Sequence, residues 1–482
     1  MNLYFKNLIL FLIYFFILIS FSTGFNFEST LYGTNLKLDW NDSYNFIMNT
    51  YAGGDQASYI MIGNRYLEKG FYLNTVWPPG LSIVHSLFIK FFGIEFQPIK
   101  IFYFLLIIMW ASIFVGCTNL ILLLRNKIFK IVGFLIIIFL LCSSTLNVFF
   151  LKQAIILSEG WATPLFLLGL LFLFQSLNKK KVESIIFASL FFFFAAIFRG
   201  VYDSFFSIIT LLILASFIIY MLIKNVTLNK LYRNSSFKKK LPVFPLLSIV
   251  IIFNISMFPI KSSYLFTHGE YSLMSNSENA MWAHNWRYDQ ELIDLGATWM
   301  VNGGATTPCK IDVVLCEEIN DCGLDCYSNS TFKNFSLETI FKNPLEWLLI
   351  ESKIAIFYWL DNPPLIASTS YVISEADKFS LSAVYKQLNY ENFGYSLVLF
   401  LLCFQMLFMF ISIVKNKKIE SIVDSNYYNF LLISASALFA LFLPQFLLHF
   451  EVRYFYPTKI VIVFVFIYGL LILDSKKYNK NY

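Results

Sequence analysis

Several charged side chains in this chain stand where charge is expensive, and their neighbours suggest chemistry. Asp55 lies in the stretch Tyr51 to Gly80, which reads Y-A-G-G-D-Q-A-S-Y-I-M-I-G-N-R-Y-L-E-K-G-F-Y-L-N-T-V-W-P-P-G. It is the first polar segment long enough to hold a site, and it follows the first apolar run of membrane length. Glu159 sits in L-S-E-G-W-A-T-P, Arg199 in F-R-G-V-Y-D, and His449, Glu451 and Arg453 in H-F-E-V-R-Y-F-Y-P. Lys152 and Lys353 also fall near the ends of apolar segments. A carboxylate can accept a proton from an attacking hydroxyl, and an arginine can hold a phosphate through paired hydrogen bonds.

Each of these residues also has a plainer explanation. Gly53-Gly54 breaks the chain, so Asp55 stands at a helix N-cap, where a carboxylate satisfies otherwise unpaired amides. That helix is expected to run to about Glu68 and end at Gly70. Apolar Ala57, Tyr59, Ile60 and Met61 share it with polar Asn64, Arg65, Glu68 and Lys69, a mix that suits a membrane surface. Trp77-Pro78-Pro79-Gly80 then forms a rigid turn. Arg199 and Arg453 could simply snorkel to lipid headgroups, and Glu159 could be a cap. Taken as a set, charges at such depth point to function.

The elements that position these residues are membrane helices. The chain is 58% hydrophobic and only 14% charged, a balance foreign to a soluble domain of this length. Apolar runs of spanning length lie near 8–25, 100–124, 131–150, 161–177, 182–198, 204–223, 243–260, 393–414, 427–449 and 459–473. Arg125/Lys127/Lys130, Lys179 to Lys181, Lys224 to Lys240, Lys415/Lys417/Lys418 and Lys476-Lys477 mark the cytoplasmic loops. The net charge of +6 reflects those loops, and nothing supports nucleic-acid binding. With the N-terminus inside, Asp55 is outside and Arg125 inside, so one crossing must join them. Leu81–Gly93 is too short to be a second one. It is expected to lie flat on the outer surface. Leu345–Leu360 is expected at the outer interface, or as one of a pair of half-crossings completed by the residues after it.

The motif G-G-D-Q-A-S-Y, a short helix and W-P-P-G resembles the first outer loop of the GT-C membrane glycosyltransferases. It is most similar to the branch of the protein O-mannosyltransferases and the lipid A aminoarabinose transferases. The resemblance implies that Asp55 is the catalytic base. Glu159 matches the acidic residue that begins the span after the first outer hairpin, and would orient the acceptor or a metal. Arg199-Gly200 and Arg453-Tyr454 with Pro457 look like the later basic outer turns that clamp the donor phosphate. Some relatives hold a Lys beside the Pro turn where this chain has Trp77, which leaves that task to Arg199, Arg453 or Lys353. Tyr59 and Trp77 then line the substrate.

The segment 261–344 is the one soluble-like stretch of size, net acidic and expected outside as a small cap. It holds His284 among Trp282 and Trp286, aromatic faces of the kind that stack on sugars or form a membrane-interface belt. Cys309, Cys316, Cys322 and Cys326 read as two disulfides in an oxidising compartment, with three connectivities open. Zinc is the rival, but no CxxC pair is present. No nucleotide or dinucleotide fingerprint occurs. No cofactor is marked by a motif, and a divalent cation is the one the carboxylates would admit.

The expectation is therefore an all-α polytopic membrane protein, a GT-C-like bundle of about ten transmembrane helices. Residues 1–260 form the membrane module, with 26–98 as the catalytic first outer loop. Residues 261–392 form the outer loop and surface helix, and 393–482 the last spans. It would sit in the inner or plasma membrane with its site on the outer face. It would transfer a sugar from a polyprenyl-phosphate donor to a glycan, lipid or protein hydroxyl. The rivals are a lipid-linked oligosaccharide polymerase or ligase, and a transporter or flippase, although no inverted repeat is visible.

Overall fold

The computed structural model describes residues 3–23, 28–29, 36–37, 59, 62–63, 78–92, 98–151, 157–179, 181–224, 244–268, 337, 340–360, 390–415, 426–447 and 452–478. Those residues are almost entirely helical. The helices are α1 Leu3–Thr23, α2 Gly80–Phe92, α3 Pro98–Leu123, α4 Lys127–Cys142, α5 Ser158–Lys179 and α6 Val182–Phe198. They continue with α7 Val201–Lys224, α8 Phe244–His268, α9 Pro344–Leu360, α10 Tyr390–Lys415, α11 Asn426–Leu447 and α12 Val452–Tyr478. A two-residue antiparallel ladder pairs Glu28 with Lys37 and Ser29 with Leu36.

Side-chain pairs along the bundle give the helix directions. Asn119 donates to Asn7 at 3.2 Å and Tyr14 meets Thr118 at 2.6 Å, so α1 runs antiparallel to α3. Phe102 packs edge-on to Trp161, which places the starts of α3 and α5 together. Phe174 stacks on Tyr468 at 3.7 Å, each the same distance along α5 and α12. Asp203 pairs with Lys261 and Phe206 stacks on Phe253, so α7 and α8 are antiparallel. Phe430 lies by Tyr468 and Phe442 by Phe455, so α11 runs against α12. The starts of α3, α5, α7, α10 and α12 thus share one end of the bundle, here called the upper end.

The lower end is closed by Asp474, near the finish of α12. Its carboxylate accepts the amides of Arg125 and of Asn126, the latter at 3.0 Å, in the turn between α3 and α4. Asn126 also caps α4 through the amide of Ile128. Lys6, Arg125, Lys127, Lys130, Lys179, Lys181, Lys224, Lys415, Lys476 and Lys477 all sit at helix ends on this side.

α5 and α12 form the buried centre, and Trp110, Phe114, Phe150, Phe166, Tyr202 and Tyr468 are fully enclosed around them. Gly169 lets α5 approach α6, since a Cβ there would stand 2.6 Å from the Phe192 ring. The outside is apolar too: Phe393, Phe400, Phe404, Leu407, Phe408 and Phe410 of α10 are exposed. A helix apolar all round suits lipid rather than water. Among the described residues, five helices are long and apolar enough to cross a membrane, within Ile101–Leu123, Ser158–Leu177, Pro245–Ser263, Tyr390–Ile413 and Phe455–Asp474. Shorter apolar helices cover Tyr4–Ser20, Val182–Phe198, Val201–Ala215 and Tyr427–Phe442.

Two expectations about segments change. The apolar run 131–150 is not one helix. α4 ends at Cys142, and a π-helical turn over Thr145–Phe150 comes next. The backbone amides of Ser144 and Thr145 turn instead to the Glu391 carboxylate, and a side-chain acceptor of that strength outcompetes the helix ladder. The boundary at residue 260 also falls inside an element. α8 continues to His268, because Lys261 is buried and paired within the bundle rather than opening a loop.

Candidate functional site

The site is built where three helix ends meet at the upper end. α5 opens with Ser158 and Glu159, so the carboxylate stands in the first turn, where the helix dipole favours negative charge. α6 closes at Arg199, whose amide still bonds the Ala195 carbonyl at 3.0 Å while its own backbone is extended. The guanidinium therefore stands at a helix C-terminus, which favours positive charge. Gly200 turns the chain, and Asp203 bonds back to its carbonyl at 2.9 Å to begin α7.

Arg199 Nη1 lies 2.8 Å from Glu159 Oε1 and donates to Ser158 Oγ at 3.1 Å. Ser158 Oγ in turn donates to Glu159 Oε2 at 3.1 Å. The three side chains form a closed ring. Glu159 is 1% exposed and Arg199 17%, so the carboxylate is sealed while the cation keeps some access. One turn deeper, Tyr202 and Thr163 share a hydrogen bond of 2.8 Å that ties α7 to α5. Trp161 stacks on Phe198 beside the ring.

The Pro-Pro-Gly turn covers this junction. Pro78, Pro79 and Gly80 are buried. A Cβ on Gly80 would stand 2.8 Å from the Ile197 carbonyl oxygen and 2.9 Å from the Phe198 ring. Only glycine lets the turn sit on the last residues of α6. From there α2 crosses the upper end, and Phe88 packs on Phe102 at the start of α3. At 13 residues α2 is about 20 Å long, well short of a bilayer core.

Two further polar clusters share this end. Glu391 of α10 is 2% exposed and accepts from the amides of Ser144 and Thr145 at 2.8 and 2.9 Å, and from their hydroxyls at 2.5 and 2.7 Å. Lys459 of α12 is fully buried and donates to Asn392 Oδ1 at 3.1 Å. Its ammonium lies 5.4 to 5.7 Å from the rings of Trp359, Tyr395 and Tyr456, within cation–π range. Asn392 is oriented by its own bond to the Leu360 carbonyl.

The structure thus joins Glu159 to Arg199, which the sequence treats as separate groups. Tyr59 is described and buried, at 3% exposure. Arg453 stands in the first turn of α12 at the same end, and Lys353 lies within α9; their side chains fall outside the described residues. Asp55, Trp77, His284 and Trp286, with Cys309, Cys316, Cys322 and Cys326, also lie outside them. Among the described residues no group of His, Cys, Asp and Glu side chains is placed to hold a metal ion. Sequence reasoning passed over Glu391, Lys459, Asp203 and Lys261. The signal for them was a charge within two turns of an apolar run's edge, as in Y-E-N-F-G and P-T-K-I-V. Searched against protein-family models, curated proteins and solved structures, the chain matches none.

Proposed function

We propose that the chain is a GT-C-like membrane glycosyltransferase that works at the upper end of its bundle. The lower end, with its lysines and Arg125, faces the cytoplasm by the positive-inside rule, and the site faces outward. The donor is a polyprenyl-phosphate sugar, and the acceptor is a hydroxyl of a glycan, lipid or protein. The observation that carries this reading is the Glu159–Arg199–Ser158 ring, desolvated at the membrane-boundary end of α5 and α6 under the Pro-Pro-Gly turn. That turn closes the segment bearing Asp55.

In the reaction, Asp55 accepts the proton of the acceptor hydroxyl as its oxygen attacks the anomeric carbon. The bond from that carbon to the phosphate oxygen breaks with inversion, and polyprenyl phosphate leaves with the electron pair. Fixed cations act most strongly where such charge develops. Arg199, pre-oriented by Glu159, meets the leaving phosphate, with Arg453 and Lys353 as the further cations. Glu159 holds Arg199 in place and orients the acceptor or a metal, and Tyr59, Trp77, His284 and Trp286 serve the substrate.

The test is Asp55→Asn, because Asn caps a helix about as well as Asp yet accepts no proton. Sugar transfer from a synthetic lipid donor in nanodiscs should fall by roughly 10²- to 10⁴-fold, while donor binding persists. Normal transfer by a well-folded variant would end the mechanism.

A further inference from the structure

The turn that presents Arg199 is only two residues long, and what holds its far side has no part in the reaction above. Arg199 and Gly200 join the last residue of α6, Phe198, to the first of α7, Val201. The direction of the Arg199 side chain therefore depends on how the first turn of α7 is held. Two side chains in that turn are tied to different neighbours. Tyr202, 0% exposed, shares its 2.8 Å hydrogen bond with Thr163 of α5. Asp203 accepts from the Lys261 ammonium of α8 at 2.6 Å, the two side chains being 18% and 10% exposed.

Adjacent residues on a helix point about 100° apart. One tie would leave α7 able to roll about it, whereas two ties at that angle fix its rotation. The apolar contact one turn on, Phe206 stacked on Phe253 at 3.9 Å, sets the spacing of α7 and α8 but is not directional. The Asp203 amide in turn donates to the Gly200 carbonyl at 2.9 Å, and the Tyr202 amide to that of Arg199 at 3.1 Å. The hold on Asp203 thus passes straight to the turn. A buried ion pair is a poor choice for stability alone, since apolar residues of like volume often do as well or better. What the two charges add here is direction.

We propose that Asp203 and Lys261 are positioning residues for Arg199. Their pair fixes the joint between α6 and α7 so that the guanidinium closes on Glu159 at 2.8 Å and on Ser158 at 3.1 Å. The use made of that geometry rests on the reading in which Arg199 meets the donor phosphate. It also gives a reason for Lys261 to lie within α8, buried at the level of the first turn of α7.

The first measurement needs no ligand. In the full chain in nanodiscs, unfolding of Glu159→Ala, Arg199→Ala and the double variant gives the coupling between those two residues. The same cycle is then run with Asp203→Asn and Lys261→Met together, which removes both charges and leaves neither unpaired. Positioning predicts that the coupling, expressed as a ratio of unfolding constants, falls roughly 5-fold in that background. Unchanged coupling would make the pair a structural tie and overturn the proposal. Lys261→Arg, which keeps the ion pair, should hold the coupling within about 2-fold of the wild type. Where the doubly substituted chain does not fold, Asp203→Asn alone keeps an oxygen acceptor and serves in its place. The second measurement uses farnesyl phosphate, with farnesol as the uncharged control. Loss of the pair should weaken farnesyl phosphate roughly 3- to 10-fold, leave farnesol unchanged, and add nothing in an Arg199→Gln background. Equal weakening with and without Arg199 would mean that the pair acts on the phosphate by itself, and would overturn the proposal as well. Farnesyl phosphate binding unaltered by Arg199→Gln refutes the phosphate reading only, and the unfolding cycle still decides the positioning.

Discussion

Glu159 and Arg199 are an ion pair before they are anything else, and their energetics can be separated from chemistry. Each charge stands at the helix end that favours it, and Ser158 completes the ring. Glu159→Ala should cost about 3 kcal/mol, the low end for breaking a buried pair, because Arg199 keeps some contact with water. The double variant with Arg199→Ala should cost less than the sum of the two single changes, measured by thermal or denaturant unfolding in one membrane mimetic. His85 makes a prediction in pH. Its value falls from 6.5 to about 4 on folding, so the unfolded chain binds more protons between those limits. Stability is complete above about pH 6.5, declines as pH drops toward 4 and then levels off, a loss on the order of 3 kcal/mol. His85→Leu should remove that part of the pH dependence, seen as the difference between the two melting curves.

Among the elements, the break after α4 shows how a side chain can redirect a helix. Residues 131–150 are apolar enough to look like one span, yet Glu391 takes the two amides and two hydroxyls at Ser144 and Thr145. In an apolar interior those groups have no water to fall back on. Glu391→Ala should therefore cost about 3 kcal/mol and speed amide exchange across Ser144–Leu151. Glu391→Gln, which keeps an acceptor, should sit between that variant and the wild type. Unchanged exchange in Glu391→Ala would mean that the π-helical turn is set by its own sequence. α2 teaches the related lesson for length: too short to span, it lies across the end of the bundle, with Gly80 seated against α6.

For the molecule as a whole, the two ends differ in how their charges are held. The lower end gathers basic residues from α1, the turn between α3 and α4, α4, α5, α7, α10 and α12 and is pinned by Asp474. The upper end holds Glu159, Arg199, Asp203, Lys261, Glu391 and Lys459 within side-chain networks. A single cysteine at Lys181, exposed at the lower end, and one at Tyr390, exposed at the upper end, should label from opposite faces of a sealed vesicle. A cysteine-free background is needed, since Cys142 and Cys403 are also exposed. Labelling of both positions from one side would refute a bundle that crosses the membrane.

Helical class, the apolar character and the residues at the edges of apolar runs were all legible from the order of residues, because hydropathy and charge act locally along a chain. Asp55, Glu159 and Arg199 stand out for the same reason, as does the Pro-Pro-Gly turn. Partnership is a different matter. Nothing in F-R-G-V-Y-D says that Arg199 closes on a carboxylate 40 residues earlier, or that Glu391 interrupts a helix that ends some 250 residues before it. Those outcomes depend on which helix ends arrive at the same end of the bundle. There a buried polar group must find whichever partner the packing has brought within reach, since lipid and core offer none.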